Sequence, residues 1–305
     1  MGVDPVTQKE IHKITGRVLR EAGITAAPVS IETLLDFLRV HREFFDLEDP
    51  SLWRTLKHKA KVQKHKFKRV FTKSRLAALW LPDENRILVD QTLPEPKKAW
   101  ASFHDATHTI LPWHKDFFLG DTAQTLNPAF QEDLEAEANF GASNLMFCGP
   151  EFSKDALSLP AEWSSLAKLK KRYQTSWVTT LRRFVRYTHD RPMAAIISTA
   201  PWMQKPTEQE TRCRHFVPSP RFEHQFGNVT ADCLLDTIDN NITKRSGGPV
   251  GDFEFPLTDD NGKSHEFRGE SFFNQHYVLT LLVQEDNAVA RSVLVSSSGQ
   301  RFRAR

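Results

Sequence analysis

The stretch that most constrains the chain is Lys97 to Pro112, KKAWASFHDATHTILP. Pro96 sits where a first-turn proline is tolerated and Pro112 where a helix must stop, while Trp100, Phe103, Thr107 and Ile110 or Leu111 recur at helical spacing. The pattern predicts a helix. On a helix His104 and His108 share one face, because side chains at i and i+4 stack above one another. Two histidines so placed are half of a metal site. Asp105 leaves the axis beside them, where a carboxylate can orient a water molecule. The arrangement resembles the metal-binding HExxH motif, with aspartate in the glutamate place.

Other chemistries fit part of this stretch. Two histidines four residues apart can arise by chance in a chain with 12 histidines. The dipeptide His104-Asp105 also resembles the pair used by HD-type phosphohydrolases, which need a further upstream histidine on a helix. The upstream candidates, His58 and His65, lie in a lysine-rich run without a clear apolar stripe.

A third ligand separates these readings, since catalytic zinc wants three protein ligands and an open position, and two histidines with a glutamate is a standard set. The segment Asn127 to Pro150, NPAFQEDLEAEANFGASNLMFCGP, predicts a second helix. Asn127 suits the N-cap, Pro128 the first turn, Glu132 and Asp133 the positive helix end, and Gly149-Pro150 a stop. On it Glu135 and Asn139 lie one turn apart on one face. The glutamate can complete a metal shell while the residue one turn later holds a ligating histidine by its other ring nitrogen. His114 is a rival third ligand, at the interval of the longer metzincin pattern, although Leu111 replaces the glycine on which that pattern turns. Glu137 faces elsewhere and reads as a solvated acid or one that supports a ligand.

The two-part combination FHDATHTILPWH and EAEANFGASNLMF resembles the ImmA/IrrE-type metallopeptidase family, whose members read roughly AHExxH and then ExxANxxAxxLLM. The resemblance spans about Ser30 to Phe184. It implies that His104, His108 and Glu135 hold Zn2+, that Asp105 stands for the glutamate that activates water, and that the substrate is a regulatory protein such as a transcriptional repressor. Aspartate is the departure. One carbon fewer withdraws the carboxylate by about 1.5 Å, which bears on proton transfer because that step needs hydrogen-bond reach.

Elsewhere the chain reads as scaffold. Thr7 to Ala22 and a segment capped by Ser30, running through Leu34, Leu35, Phe37, Leu38 and Phe44, predict two helices. Leu76 to Gln91 predicts two short strands about a turn at Pro82 to Asn85. Trp163 to Tyr187 predicts a helical pair joined at Gln174 to Ser176, with Arg182, Arg183 and Arg186 exposed. After about Met193 the strands AAIIST, RHFVPSP, DFEFPL, HEFRGESFF, HYVLTLLVQ and RSVLVSSS follow, with a helix at Val229 to Ile242 and a hairpin turn at Asp259 to Gly262. The expected architecture is α+β, with a zincin-like metallopeptidase domain over residues 1–195, including the helical pair at about 163–188, and a sheet-rich domain of unknown role over 196–305.

Charge is unevenly placed. Arg54 to Arg75 carries ten basic residues and no acid, so the net charge of +3 is produced locally. The run can neutralise phosphates of nucleic acid, or it can be a solvated segment whose lysines discourage aggregation. No apolar run approaches the ~18 residues of a membrane span, and the N-terminal residues lack the apolar core of a signal peptide. Cys148, Cys213 and Cys233 form no CxxC pair and fit free thiols. The expected location is the cytoplasm, away from membranes. The expected function is a zinc metallo-endopeptidase. The alternative is a non-catalytic metal-binding regulator that binds nucleic acid or a protein partner.

Overall fold

The structure is a computed structural model in which residues 3–46, 78–81, 84–114, 128–203 and 212–285 are described. The basic run from Arg54 to Arg75, the Asn127 cap and the last expected strand (RSVLVSSS) lie outside the described residues.

The architecture is α+β, and the chain divides into two compact units. The first comprises Met1–Asp155 with Leu169–Ser176, the second Ala156–Lys168 with Trp177–Arg305. The boundary expected near residue 195 instead falls inside the strand Met193–Ser198. That strand is hydrogen-bonded on both sides to later strands, which ties it and the helix before it to the second unit.

In the first unit, α1 (Pro5–Glu21) begins at Asp4, whose carboxylate accepts from the amides of Val6 and Thr7. The helix stops before Gly23, which has φ +69°. Next, α2 (Ile31–Leu38) starts at the expected Ser30 cap, which accepts from Thr33 N–H. It ends earlier than the apolar pattern suggested. Arg39 turns the chain in the left-handed region (φ 55°), and Phe44 belongs to a strand, β1 (His41–Phe45). β2 (Ala78–Leu81) and β3 (Arg86–Asp90) are the predicted antiparallel pair. β1 joins the free side of β3 in parallel, giving the order β1-β3-β2. β3 is the central strand and buries Ile87, Leu88 and Val89, whereas β1 is mostly exposed, as an edge strand should be.

The sheet leads into α3 (Glu95–Ile110), which carries the two histidines, and α3 packs against α4 (Pro128–Met146). Phe103 and Ala106 of α3 meet Ala142, Leu145 and Met146 of α4 in a core closed by Leu34, Leu35, Trp80 and Val89. α4 is followed by left-handed Cys148 and Gly149 and then by α5 (Glu151–Leu157). Small residues bring the two site helices close. A Cβ on Gly141 would lie 2.4 Å from Cγ2 of Thr107.

The helical pair is α6 (Trp163–Tyr173) and α7 (Trp177–Tyr187), joined through left-handed Gln174. The division between the units runs through this pair. One expectation fails on α7: Arg183 is buried, with its guanidinium 5.2 Å from the centre of the Tyr187 ring. α7 packs against two strands of the second unit, so its covered face is wider than the apolar stripe and takes in Arg183.

The sheet of the second unit is antiparallel, in the order β5-β4-β8-β7-β6, built from β4 (Met193–Ser198), β5 (Cys213–Pro218), β6 (Gly248–Thr258), β7 (Ser264–Phe273) and β8 (Val278–Gln284). β4 is buried throughout and β8 almost throughout, and both read as continuous apolar runs, whereas β7 alternates. On one face α8 (Pro220–Gln225) and α9 (Ala231–Asn240) set Phe222, Phe226, Leu234 and Ile238 against Phe255, Phe267 and Leu282. Phe272, of opposite parity to Phe267, stacks with Trp163 and Trp177.

Candidate metal centre

The helix from Glu95 to Ile110 presents His104 and His108 toward the second helix, and Glu135 meets them there. Nε2 of His104 lies 3.2 Å from Nε2 of His108 and 3.2 Å from Oε2 of Glu135, and Nε2 of His108 lies 3.9 Å from Oε1 of Glu135. The three residues form a group whose ligating atoms all lie within 4.8 Å of one another. These spacings suit a small cation. A tetrahedral ion with bonds of ~2.0–2.1 Å holds its ligand atoms ~3.3 Å apart. The histidines are well covered, with side-chain exposures of 17% and 5%, while Glu135 is 61% exposed and marks the side open to solvent.

The supporting hydrogen bonds favour ligand-ready rings. Nδ1 of His104 is 3.1 Å from Oδ1 of Asn139, one turn beyond Glu135 as the sequence suggested. If Nδ1–H donates to that oxygen, the lone pair of Nε2 is left for a metal. His114 does not enter the group. Its Nδ1 is instead 2.8 Å from Nδ1 of His108, on the side of that ring away from the ligand cluster. Its Nε2 meets Oε2 of Glu137 at 3.0 Å, and Trp113 Nε1–H donates to the same oxygen at 2.6 Å. The rival third ligand thus contacts the far nitrogen of the His108 ring, and Glu137 in turn contacts His114.

Asp105 is buried, and among the described residues its Oδ2 has no hydrogen-bond partner. A carboxylate oxygen left so is costly unless something polar completes it. Burial pushes Asp105 up to about 7, the charge of His104 pulls it back, and the charge of Glu135 adds to the rise. Burial likewise holds His108 well below the ordinary histidine range, with the charges of His104 and His114 acting in the same direction. His104 behaves oppositely. Burial acts to lower it, but the hydrogen bond to Glu135 and the charges of Asp105 and Glu135 prevail and raise it. Glu135 is lowered because its bond to His104 and that ring's charge overcome its own burial. Without an ion, a proton shared between His104 and Glu135 neutralises the cluster. Two nitrogen lone pairs, a carboxylate and an orphaned acid beside them fit a divalent cation with water.

Sequence reasoning brought together His104, Asp105, His108, Glu135 and Asn139. It did not find Gly141, whose missing side chain sets the helix approach, or the bond from Trp113 to Glu137. The i, i+4 relation of Glu137 and Gly141 on a helix of small residues was the available signal.

No family model matches the chain, and no curated protein does. Among solved structures, a Mycobacterium tuberculosis transcriptional regulator has a similar fold, with a TM-score of 0.52 and 13% sequence identity over 96% of this chain and 94% of that one. Among the described residues, no helix is long and apolar enough to cross a membrane.

Proposed function

We propose that the chain is a zinc metallo-endopeptidase of ImmA/IrrE type with a zincin-like first unit, acting in the cytoplasm on a regulatory protein such as a transcriptional repressor. The observation that carries this reading is the convergence of His104, His108 and Glu135 beside a buried carboxylate with an unpartnered oxygen. Bound zinc supplies Lewis acidity, which polarises a peptide carbonyl and makes water a nucleophile near neutral pH. Asp105 accepts the proton of the attacking water, and a carboxylate raised to about 7 is matched to that task at neutral pH. Its burial in the first unit compensates for the shorter side chain by fixing the carboxylate in place. Exposed Glu135 leaves the solvent side accessible to an extended substrate.

The test is cleavage of candidate repressors from the genomic neighbourhood, co-expressed with the protein. Asp105→Asn should keep its metal, because residue 105 is not a ligand, and lose at least the factor of ~100 that a general base contributes. Unchanged cleavage by Asp105→Asn would remove residue 105 from the mechanism.

A second reading is a non-catalytic metal-binding regulator. It is favoured by one observation, that a protein of similar fold is a transcriptional regulator. In that case native protein and Asp105→Glu alike cleave nothing while a protein or nucleic-acid partner stays bound, with the Arg54 to Arg75 run a candidate contact for nucleic acid.

A further inference from the structure

The ring of His108 is held by a relay that reaches Trp113. Oε2 of Glu137 accepts from Trp113 Nε1–H at 2.6 Å and stands 3.0 Å from Nε2 of His114. His114 is fully buried, and its Nδ1 stands 2.8 Å from Nδ1 of His108. A carboxylate only accepts, so the proton in the contact to Glu137 sits on Nε2 of His114. A metal on Nε2 of His108 needs that nitrogen bare and facing His104 and Glu135, so the ring's proton sits on Nδ1 and is donated to Nδ1 of His114, whose own proton on Nε2 goes to Glu137.

We propose that Glu137 and His114 are positioning residues that lock His108 in the tautomer able to bind metal, and so set the affinity of the centre. This rests on the reading of His104, His108 and Glu135 as metal ligands, and not on peptidase activity. Glu137→Leu is the informative change because it removes the acceptor. His114 is then free to carry its proton on Nδ1 and donate it to His108, which puts the His108 proton on Nε2, where it blocks the ligand. Glu137→Gln should keep the relay, because the oxygen that accepts from Trp113 Nε1–H is the one that Nε2 of His114 meets. Glu137→Asp retains an acceptor-only group and should recover part of the effect.

Zinc affinity is measured by competition with a chromophoric chelator for wild type, Glu137→Leu, Glu137→Gln, Glu137→Asp, His114→Phe and, as a ligand control, His104→Ala. In parallel, 15N chemical shifts of the imidazole rings in metal-free protein, recorded at a pH where the rings are neutral, report which nitrogen of His108 carries the proton. Removing such support costs about 10–100-fold in affinity. That loss is expected in Glu137→Leu and His114→Phe, with Glu137→Asp between them and wild type and Glu137→Gln close to wild type. The wild-type spectrum should show His108 protonated at Nδ1, and that of Glu137→Leu should show it protonated at Nε2. A folding defect in His114→Phe would not imitate that change of tautomer. Wild-type affinity and an unchanged His108 tautomer in Glu137→Leu would overturn the relay while leaving the ligand assignment standing. Wild type that binds zinc no better than His104→Ala would overturn the ligand assignment and the relay together.

Discussion

Replacing Gly141 by alanine tests the close approach on which the site geometry depends. The new Cβ would lie 2.4 Å from Cγ2 of Thr107, 3.3 Å from its Oγ1 and 3.4 Å from Cγ2 of Ile11. Carbon atoms in contact sit ~3.5–4.0 Å apart, so something must yield by more than an ångström. Thr107 has little freedom. It is fully buried, β-branched on a helix, and its hydroxyl donates to Phe103 O at 2.9 Å. Alanine in a helix interior gains ~1 kcal/mol over glycine, and overpacking costs ~1–3 kcal/mol. The metal-free protein should therefore lose up to ~2 kcal/mol. The metal site should suffer more, because His108 follows Thr107 on one helix, Glu135 lies on the other, and metal–ligand distances tolerate only ~0.2 Å of change. A tenfold or greater loss of zinc affinity, ~1.4 kcal/mol, is expected. Adding Thr107→Ser deletes Cγ2 while keeping the hydroxyl, and should restore most of both losses. Thermal unfolding of metal-free protein and chelator competition give the two readouts. A Gly141→Ala protein that is ~1 kcal/mol more stable, as an unhindered helix site would make it, and binds zinc normally would refute the close approach.

Other consequences follow from the same interactions. Metal must displace the proton that His104 holds with the help of Glu135 and Asp105, so zinc affinity should rise with pH through and beyond the ordinary histidine range, and Glu135→Gln should shift that rise to lower pH as well as weaken binding. In the second unit, burial lowers His189 from 6.5 to about 4, with the charge of Arg191 acting in the same direction. The unfolded chain then binds the extra proton between those values, so stability should be lost as pH falls from 6.5 toward 4. Discounted for the ring's partial exposure, the loss is about 1–2 kcal/mol, and His189→Leu should flatten this acid limb in unfolding measured against pH. Asp259 accepts from the amides of Asn261 and Lys263 and meets Nε2 of His265 at 2.9 Å. Asp259→Ala should therefore cost about 2–3 kcal/mol by denaturant unfolding, and a loss below ~0.5 kcal/mol would show that water replaces these bonds.

How much of this was legible in the sequence depends on how local each cause is. Ser30, Pro96, Pro112 and Gln174 act within a turn of their own positions, and the elements they start, stop or join lie where the pattern put them. The strand β1 was hidden because its causes are remote. Its partner β3 lies forty-five residues on, its pairing is parallel, and its edge position leaves it without an apolar alternation to read. The helix before it ends on Arg39 in the left-handed region, a place where glycine is the usual signal. Arg183 misled for a related reason: charge predicts exposure only until two strands cover the helix. The candidate metal ligands were legible because a helix converts spacing into direction, so that two histidines and a glutamate on separate helices need only one packing event to meet. The support of His108 needed more. The chain had to turn after Leu111, where His114 N–H donates to Leu111 O at 3.1 Å, before His114 could reach back to a residue six positions earlier and forward to Glu137. Spacing alone could offer His114 as a ligand. What separates it from the candidate ligands is the ring nitrogen it approaches, Nδ1 rather than Nε2 of His108, and that distinction depends on a packed structure.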